Sequence, residues 1–573
     1  MLSSHRTSQI EAVCKVSAGS QPPPIGEYRL PSRWAAGISL FGFIVLSINL
    51  GDVRVLTFHE TVFAQPAKEM LRDGNWIVPT IAGVPFTDRT PLTAWLMAGS
   101  MTLFGDDGEW VVRFPSVVCA VLTALLIASM AARWFGRRVG ILAGFMELTT
   151  WQVFAHARLA EADMLLSLTV TAAMYAFAAA LVEGPRGASR SRFLPYVFGA
   201  AVAASFMVKW IFGPAFIGLG CLAYCGIKRE RRAWLFLFHP GAIALALSLT
   251  VPWIVLACRE HAGLFGEFLN NHFGRFRGTY GAREPWYAYA YLVPFLLLPW
   301  FPYAVAAAIV RVRNRFAFEP IWMFFICWFV PGMMLLSVSS FKAKHYTMPL
   351  LPPLVVAAAV GLHEYLKRRE RVDSRLLPWL AAATAFAGVF GCAFVLVKKP
   401  ADARAMACVI AVLAGGGATA LVLEFRKQFR GELTVLFAAL AAAAMIVQTW
   451  IMPSHDSFRP LAELGRRINA KIPADAEVQL VHLPEVQIPY YIDRPMRRWD
   501  DRKEFLAKAD ASEPLYIVTS RDFVTEFATQ ADVKLLDGAE RIARHTYDRD
   551  RLVLLEYRSS VATAAGEGPV RRK

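Results

Sequence analysis

Long apolar runs separated by short polar loops cover most of the chain. About thirteen of these runs approach the roughly 20 residues that a helix needs to cross a bilayer. They centre on residues 34–51, 114–132, 139–155, 164–182, 194–207, 210–227, 235–257, 287–310, 319–338, 347–365, 376–397, 404–425 and 432–452. The pattern predicts an α-helical polytopic membrane protein with about 13 transmembrane helices.

Residues 453–573 depart from this pattern because they are more charged and less apolar. The spacing of their apolar residues predicts a helix at Pro460–Lys471, strands at Val478–Leu483, Leu515–Thr519, Val533–Leu536 and Leu552–Tyr557, and helices at Arg502–Lys508 and Arg521–Ala528. We therefore expect an N-terminal segment (1–33), a transmembrane domain (34–452) whose first loop is 52–113, a small α/β domain (453–560) and a disordered tail (561–573).

Every second loop between the predicted spans is rich in lysine and arginine. The basic loops lie at 133–138, 186–192, 228–232, 311–315, 367–375 and 426–430. Short basic loops stay in the cytoplasm, so an odd number of spans that starts from a cytoplasmic N-terminus places the α/β domain on the outer side of the membrane. This topology and attraction to membrane lipids explain the net charge of +16, and we expect no nucleic-acid partner.

The first outer loop contains more acids and bases than a simple connection needs. His59, Glu60, Asp88 and Arg89 all lie between the first span and Trp95. The apolar spacing predicts a short amphipathic helix along the membrane interface, with Pro66 in its first turn and Gly74 as its stop. A second interfacial helix is predicted at Leu92–Phe104, because that run is short for a span.

The other outer loops contribute an acid, several cations and a tyrosine as candidate site residues. These residues are Asp163 in the second loop, Lys209 in the third, His272 and Arg275 in the fourth, and Lys342 and Tyr346 in the fifth. Acids and cations together on one membrane face suit chemistry on a lipid-borne phosphate, because cations stabilise a phosphate leaving group and a carboxylate or histidine accepts a proton. Simpler explanations stay open: a salt-bridge cluster at the helix ends for Asp163, snorkelling for Lys209, an aromatic belt for Tyr346, and a structural hydrogen bond for His59.

Four of these segments together resemble a known family. The first is HETVFAQPAKEMLRDGNWIVPTIAGVPFTDRTPLTAW, and the others are RLAEADMLL, MVKWIFGP and SFKAKHYTMPLLPP, in the same chain order as in the family. The sequence resembles the membrane-embedded GT-C glycosyltransferases, in particular the ArnT-type lipid A aminoarabinose transferases and the related protein O-mannosyltransferases. In the first segment the matches are Glu60, Phe63, Ala64, Glu69, Met70, Gly74, Asn75, Trp76, Pro79, Gly83, Pro91 and Trp95.

The resemblance implies an inverting transfer of a sugar from undecaprenyl phosphate to lipid A or a related surface lipid or glycan. It implies that Glu60, Asp163 and His59 orient or deprotonate the acceptor. It further implies that the donor phosphate is bound by Arg89, Lys342, Tyr346, Lys209 and Arg275, with Asp88, Phe86 and His272 completing the pocket. The chain departs from the family at two positions, with His59 at the family's leading aspartate and Val62 at its arginine.

The resemblance also implies partners and alternatives. The partners are the lipid-linked donor, a lipid or glycan acceptor and membrane lipids; no metal is indicated, and a monomer is expected. A protein O-mannosyltransferase-like enzyme is an alternative within the family. A lipid-linked sugar transporter or flippase is an alternative from another class, but a transporter concentrates its ionisable residues near the bilayer midplane, whereas here they gather in the outer loops.

Overall fold

The computed structural model describes residues 29–52, 54–182, 189, 191–277, 284–313, 319–369, 403–451, 453, 459–483, 488–508, 514–528, 531–538 and 552–559. The predicted eleventh span, the tail 561–573 and most of the N-terminal segment lie outside these residues. The transmembrane part contains α1 (Ser32–Ser47), α2 (Phe58–Asp73), α3 (Leu92–Phe104), α4 (Glu109–Phe135), α5 (Arg137–Thr149), α6 (Trp151–His156), α7 (Asp163–Leu181), α8 (Leu194–Lys209), α9 (Phe212–Lys228), α10 (Arg231–Leu237), α11 (Pro240–Glu260), α12 (Leu264–Arg277), α13 (Ala288–Leu296), α14 (Phe301–Arg313), α15 (Pro320–Val338), a 3₁₀ helix (Lys344–Leu350), α16 (Pro352–Arg369), α17 (Ala403–Phe425), α18 (Phe429–Ile446) and a π-helical turn (Val447–Ile451).

Helices occupy the predicted spans throughout the described residues, but the predicted number of thirteen crossings is not confirmed. Six helices in this part of the chain are long and apolar enough to cross a bilayer alone. Two bent pairs, Ala288–Leu296 with Phe301–Arg311 and Lys344–Leu350 with Pro352–Lys367, raise that number to eight. Four further apolar helices are shorter, and hydropathy alone does not reveal the breaks and early ends that shorten them.

Small residues bring the helices of the bundle into close contact. A Cβ atom on Gly361 of α16 would lie 2.1 Å from the Tyr303 carbonyl oxygen of α14. A Cβ atom on Gly140 of α5 would lie 2.6 Å from the Ala128 carbonyl oxygen of α4. Close backbone approach of this kind is how helices pack when lipid removes much of the hydrophobic driving force.

We expect Gly361→Ala to destabilise the protein by about 1–3 kcal/mol, because the added methyl group meets backbone that cannot move aside like a flexible side chain. Gly415→Ala in α17 is the matched control, since nothing lies within 4 Å of its added Cβ. Thermal unfolding of both variants in detergent checks this. Equal melting temperatures for the two variants would contradict the packing described here.

The first outer loop folds into α2, a two-stranded hairpin (β1, Thr80–Ile81, with β2, Val84–Pro85) and α3. As predicted, Gly74 ends α2, and its backbone lies in the left-handed region with φ 74°. Helix α3 covers the residues predicted for it, Leu92–Phe104. The placement of Pro66 in the first turn was wrong, because α2 already begins at Phe58 and includes this proline in its interior. Most of α2 is buried in protein, and packing on several sides supports a helix that a proline would otherwise weaken.

The C-terminal part forms one five-stranded sheet with helices around it. Its elements are α19 (Arg459–Lys471), β3 (Val478–Val481), α20 (Ile488–Tyr491), β4 (Met496–Trp499), α21 (Arg502–Lys508), β5 (Leu515–Ser520), a 3₁₀ turn (Arg521–Phe523), α22 (Val524–Ala528), β6 (Ala531–Gly538) and β7 (Leu552–Ser559). The strand order is β4-β3-β5-β7-β6; β3 runs parallel to β4 and β5, and β7 runs antiparallel to β5 and β6. Apolar residues lie on both faces of the sheet and form two separate clusters.

This α/β unit packs directly onto the first outer loop. The Tyr491 hydroxyl accepts a hydrogen bond from the Leu56 amide at 2.8 Å and lies 3.2 Å from Glu109. Lys68 of α2 lies 2.6 Å from Asp107 and 3.7 Å from Asp493 of the C-terminal part. The first loop therefore lies between the helical bundle and the C-terminal sheet. The domain boundaries drawn from the sequence remain predictions.

Candidate active site

Glu60 lies inside the protein, where it joins three segments of the chain. Its carboxylate accepts hydrogen bonds from Arg113 Nε of α4 at 2.7 Å, from the Thr57 amide at 2.9 Å and from the Ala160 amide of the second outer loop at 3.1 Å. Its side chain has no solvent exposure, and that of Arg113 is 1% exposed. This geometry ties the start of α2 to the loop that leads into Asp163.

Burial would raise the pKa of Glu60, but the Arg113 guanidinium and the surrounding hydrogen bonds lower it from 4.5 to about 2. The carboxylate is therefore ionised across the physiological range. With Arg113 and two backbone amides around it, Glu60 is suited to holding the loops together, and its geometry offers little support for a role as a proton acceptor.

The shifted pKa of Glu60 makes stability dependent on acid pH. The pKa is lower in the folded state, so the stabilisation is fully present above pH 4.5 and is lost as the pH falls toward 2. Lowering the pH from 6 to 3 should therefore cost the native protein about 2 kcal/mol more than the Glu60→Gln variant. Unfolding in detergent over this pH range tests the expectation, and identical pH dependence of the two proteins would contradict it.

Asp163 and Lys209 form a nearly buried ion pair at the outer ends of α7 and α8. Lys209 Nζ donates to Asp163 Oδ1 at 2.8 Å and lies 4.9 Å from the ring centre of Tyr346. The Lys209 side chain is 13% exposed and the Asp163 side chain is 6% exposed. Lys209 is therefore not a snorkelling lysine, because its charge points to an acid inside the protein.

The backbone after Lys209 has an uncommon conformation. Trp210 has φ 47°, which a bulky side chain rarely adopts, and its ring stacks on Phe268 of α12 with a centroid distance of 5.3 Å. This stacking, with Phe268 3% exposed, fixes the turn that presents Lys209.

Three histidines from three loops lie together beside Tyr346, the residue that Lys209 contacts. The His345 ring centre lies 6.3 Å from that of His59 and 5.7 Å from that of His156. His345 also lies against Tyr346, with a centroid distance of 4.8 Å. His156 Nδ1 lies 3.0 Å from the Glu161 carboxylate, which fixes the orientation of the ring. His59 is the exposed member of this histidine cluster (His59, His156, His345).

Arg89 lies on the same side of α2 as His59. Its guanidinium lies 5.8 Å from the ring centre of Phe63, which is one helical turn after His59. Arg89 also donates to the Asp88 carbonyl oxygen at 2.9 Å, and the Asp88 carboxylate accepts a hydrogen bond from Asn271 of α12. The cation predicted to bind phosphate therefore lies about one turn of helix from the histidine cluster.

Helix α12 holds the Arg89 segment through a second contact. Thr87 donates to Glu267 of α12 at 2.6 Å. This bond and that from His261 lower the pKa of Glu267, which is therefore a carboxylate near neutral pH. Phe86 is partly buried, and its amide donates to the Pro79 carbonyl oxygen at 2.7 Å.

Three further predicted site residues are Lys342, which precedes His345 by three residues, and His272 and Arg275. The Lys342 side chain donates hydrogen bonds to the backbone carbonyl oxygens of Ser339 and Glu284. His272 and Arg275 belong to α12, but their side chains lie outside the described part of the structure. The structure thus brings together His59, Asp163, Lys209 and Tyr346, places Arg89 beside them, and buries Glu60 next to His59 at the start of α2.

Four residues that contribute to this site were not among the sequence predictions: Arg113, His156, His345 and Asn271. Arg113 lies at the start of a span, where a buried charge is costly without a partner, and that position was a signal for the ion pair with Glu60. His345 is adjacent in sequence to Tyr346, whereas nothing in the sequence connects it with His59.

The assembled groups offer a cation, a polarised ion pair and imidazoles around one region where these loops meet. Arginine binds phosphate through two parallel hydrogen bonds, and a neutral imidazole accepts a proton. Among the described residues, no group of three or more His, Cys, Asp or Glu side chains has the geometry to hold a metal ion. The arrangement suits displacement of a phosphate leaving group with removal of one proton.

Comparisons with known proteins agree with this chemistry. A family model described as Dolichyl-phosphate-mannose-protein mannosyltransferase matches residues 88–256. The chain is 27% identical over 329 residues to the undecaprenyl phosphate-α-4-amino-4-deoxy-L-arabinose arabinosyl transferase of Photorhabdus laumondii, covering 56% of this chain and 58% of that relative. It is 28% identical over 356 residues to the transferase of the same name from Aeromonas salmonicida, covering 61% and 63%. The aligned part spans less than two thirds of the length of these relatives.

Solved structures extend the similarity over nearly the whole chain. The crystal structure of ArnT from Cupriavidus metallidurans bound to undecaprenyl phosphate has a TM-score of 0.76 at 20% identity, covering 94% of this chain and 100% of ArnT. The same ArnT in the apo state has a TM-score of 0.74 at 20% identity, covering 94% and 99%. The chain therefore has the GT-C fold of ArnT, and the resemblance to ArnT-type glycosyltransferases that its loop motifs predict is confirmed.

Proposed function

We propose that this protein is a membrane glycosyltransferase that moves a sugar from undecaprenyl phosphate to an acceptor at the outer membrane surface. The donor sugar is of the aminoarabinose type, by similarity to the arabinosyl transferases named above, and the acceptor is lipid A, which the resemblance of the loop motifs to the ArnT-type transferases implies. The acceptor oxygen attacks the anomeric carbon, the bond from that carbon to the phosphate oxygen breaks, and undecaprenyl phosphate leaves with the electron pair.

One observation carries the proposal: outer-loop residues far apart in sequence meet at one place. The His59 and His345 ring centres are 6.3 Å apart, although 285 residues separate them along the chain. The Asp163–Lys209 pair contacts the same Tyr346 that lies against His345. Such convergence of ionisable groups is costly unless the site uses them.

The phosphate of the donor is assigned to Arg89, with Lys209, Tyr346 and Lys342 contributing nearby. Arg89 is half-buried and its guanidinium has the planar geometry that matches two phosphate oxygens. Lys209 stabilises charge on the leaving phosphate from its pair with Asp163. Arg275 and His272 remain assigned to this pocket from the family resemblance.

We assign removal of the acceptor proton to His59, which occupies the position of the family's leading acid. His59 is exposed at the surface of the cluster, where an incoming hydroxyl can reach it. Asp163 orients Lys209 and the acceptor. Glu60 is a positioning residue, because its carboxylate is enclosed by Arg113 and backbone amides.

We expect Arg89→Gln to raise the KM for the lipid-linked donor by about 10–100-fold, the amount associated with hydrogen bonds to a charged group. Arg89→Lys should recover part of that loss, because it restores the charge but not the two parallel hydrogen bonds. Steady-state kinetics with varied donor concentration measure the KM of both variants. An unchanged KM in Arg89→Gln would remove this residue from the donor site.

The function itself is tested with purified protein reconstituted in sealed lipid vesicles. Undecaprenyl phosphate-aminoarabinose is supplied with lipid A, and mass spectrometry follows modified lipid A and released undecaprenyl phosphate. Both products should form in equal amounts. Movement of the intact donor across a bilayer without discharge would instead identify a transporter.

The description of the matching family model favours one alternative, transfer of mannose to protein. The same assay distinguishes it when a polyprenyl phosphate-mannose donor and an unfolded periplasmic protein replace the first pair of substrates. Efficient discharge of mannose and none of aminoarabinose would establish that alternative.

The orientation in the membrane is also part of the proposal. The basic loops support placement of the site and the C-terminal sheet on the periplasmic side, and similarity to the bacterial arabinosyl transferases supports a bacterial inner membrane location. The ion pair and hydrogen bonds of the C-terminal part with the first loop support a common side for both.

A further inference from the structure

A large cleft opens at the end of the bundle opposite the candidate active site. Its volume is about 1110 Å³, which exceeds the usual range of about 300–1,000 Å³ for small-ligand pockets. Helices α1, α5, α16 and α18 form its walls. Among the residues of these walls are Trp34, Arg138, Lys367 and Phe437.

Helix directions place this cleft far from the outer-loop site. In α4, Arg113 binds Glu60 at the site, whereas the helix ends at Phe135, just before Arg138 of α5. The rise along α4 from Arg113 to its end is about 33 Å. Helix α16 runs in the same way. It begins directly after the 3₁₀ helix that carries His345, and Lys367 of the cleft lies near its opposite end.

The rim of the cleft is basic. Arg138, Lys367 and Lys427 line it, together with His363, and the lining residues include no carboxylate. The acids of the adjoining turn, Glu424 and Glu432, do not line it. These cations come from three different basic loops, so the structure gathers charges that the sequence distributes over about 290 residues.

The interior of the cleft is apolar. Phe41, Phe145 and Phe437 line it below the basic rim, with Ala438 and Ala441 leaving space along α18. A second apolar cavity of about 570 Å³ adjoins it, because Phe437 and Ala441 line both. The two volumes together offer room for long hydrocarbon chains beneath a cluster of positive charge.

We propose that this cleft is a specific binding site for a membrane diacyl phospholipid with an anionic headgroup. The headgroup phosphate lies on Arg138, Lys367 and Lys427, and the acyl chains extend between Phe41 and Phe437. Charge complementarity selects an anionic lipid, because each basic residue near the surface favours one by about fivefold. The bilayer supplies this lipid directly through the open side of the cleft.

Native mass spectrometry of the full-length, delipidated protein tests the proposal, with phosphatidylglycerol and phosphatidylcholine as probes. The native protein should bind phosphatidylglycerol about 100-fold more tightly than phosphatidylcholine. The triple variant Arg138→Gln, Lys367→Gln, Lys427→Gln should lose this preference. Ala438→Trp keeps every charge but fills the cleft, and it should also weaken phosphatidylglycerol binding.

The matched control removes three charges from a basic loop that does not line the cleft: Arg229→Gln, Arg231→Gln, Arg232→Gln. It should keep the preference for phosphatidylglycerol to within about fivefold. An equal loss in the control and the cleft variant would overturn the proposal, since general surface charge would then explain binding. Tighter binding of undecaprenyl phosphate than of phosphatidylglycerol at this cleft would also overturn it. Donor discharge should stay within about twofold in the cleft variants, which shows that they fold.

Discussion

Replacing Arg113 with methionine should destabilise the protein by about 3–5 kcal/mol, because it leaves the Glu60 carboxylate buried without its counter-charge. Arg113 also donates to the carbonyl oxygens of Leu50 at 2.8 Å and Arg54 at 3.0 Å, and both would lose a buried partner. Chemical unfolding of the detergent-solubilised protein, followed by tryptophan fluorescence, measures the loss.

Two further variants decide whether loss of the Glu60–Arg113 ion pair causes the destabilisation of Arg113→Met. Adding Glu60→Gln to Arg113→Met should restore much of the stability, because the buried charge is removed along with its partner. Arg133→Met in the same helix is the matched control and should cost about 1 kcal/mol, the order of its contact with the Trp134 ring. A loss for Arg113→Met no larger than that of the control would contradict the role assigned to the pair.

Replacing His59 with alanine should lower kcat by about 10²–10⁴-fold, the usual contribution of a proton acceptor in the transition state. The fold should persist, because His59 is exposed and no side-chain hydrogen bond joins it to another element in the described contacts. Single-turnover discharge of the lipid-linked sugar measures the chemical step.

His59→Asp is the informative companion to this variant. Resemblance to the family implies an aspartate at this position, and a carboxylate there can accept the same proton. His59→Asp should therefore retain clearly more activity than His59→Ala, whereas His59→Phe, which keeps only the ring, should not. Equal kcat for the native protein and His59→Ala would show that the acceptor needs no base from this residue.

The helices were largely predictable, because apolar runs directly reflect the lipid solvent. Helix Arg502–Lys508 agrees with its prediction at both ends, and Leu515–Ser520 differs by one residue. Strand Met496–Trp499 was missed because Arg497 and Arg498 interrupt its alternation, although β3 pairs with it in parallel.

The site was predictable only in part, because sequence identifies reactive side chains but not their burial. Glu60 was expected at the reaction centre, yet a charged residue of a neighbouring span encloses it. Lys209 was expected at the turn between two spans and does end α8, whereas its pairing with Asp163 depends on how α7 packs on α8. The meeting of His59, His156 and His345 is a tertiary contact that no periodicity indicates.

The C-terminal sheet has a physical connection to the candidate site through the first loop. Tyr491 holds Leu56, which lies four residues before Glu60, and Ala82 of the hairpin joins an apolar cluster of the sheet. Glu69 of α2 in turn binds the Ala82 amide at 2.6 Å. The sheet therefore supports the shape of the loop that carries His59 and Arg89, and it contributes no acid or base to the histidine cluster among the described contacts.

The central claim is that outer-loop residues form one binding site for a lipid phosphate, and a cryo-electron microscopy structure with undecaprenyl phosphate tests it most directly. We predict the phosphate within hydrogen-bond distance of Arg89 and beside the Lys209–Tyr346 contact, with His59 facing the acceptor side. A phosphate bound elsewhere, out of reach of these residues, would contradict the account.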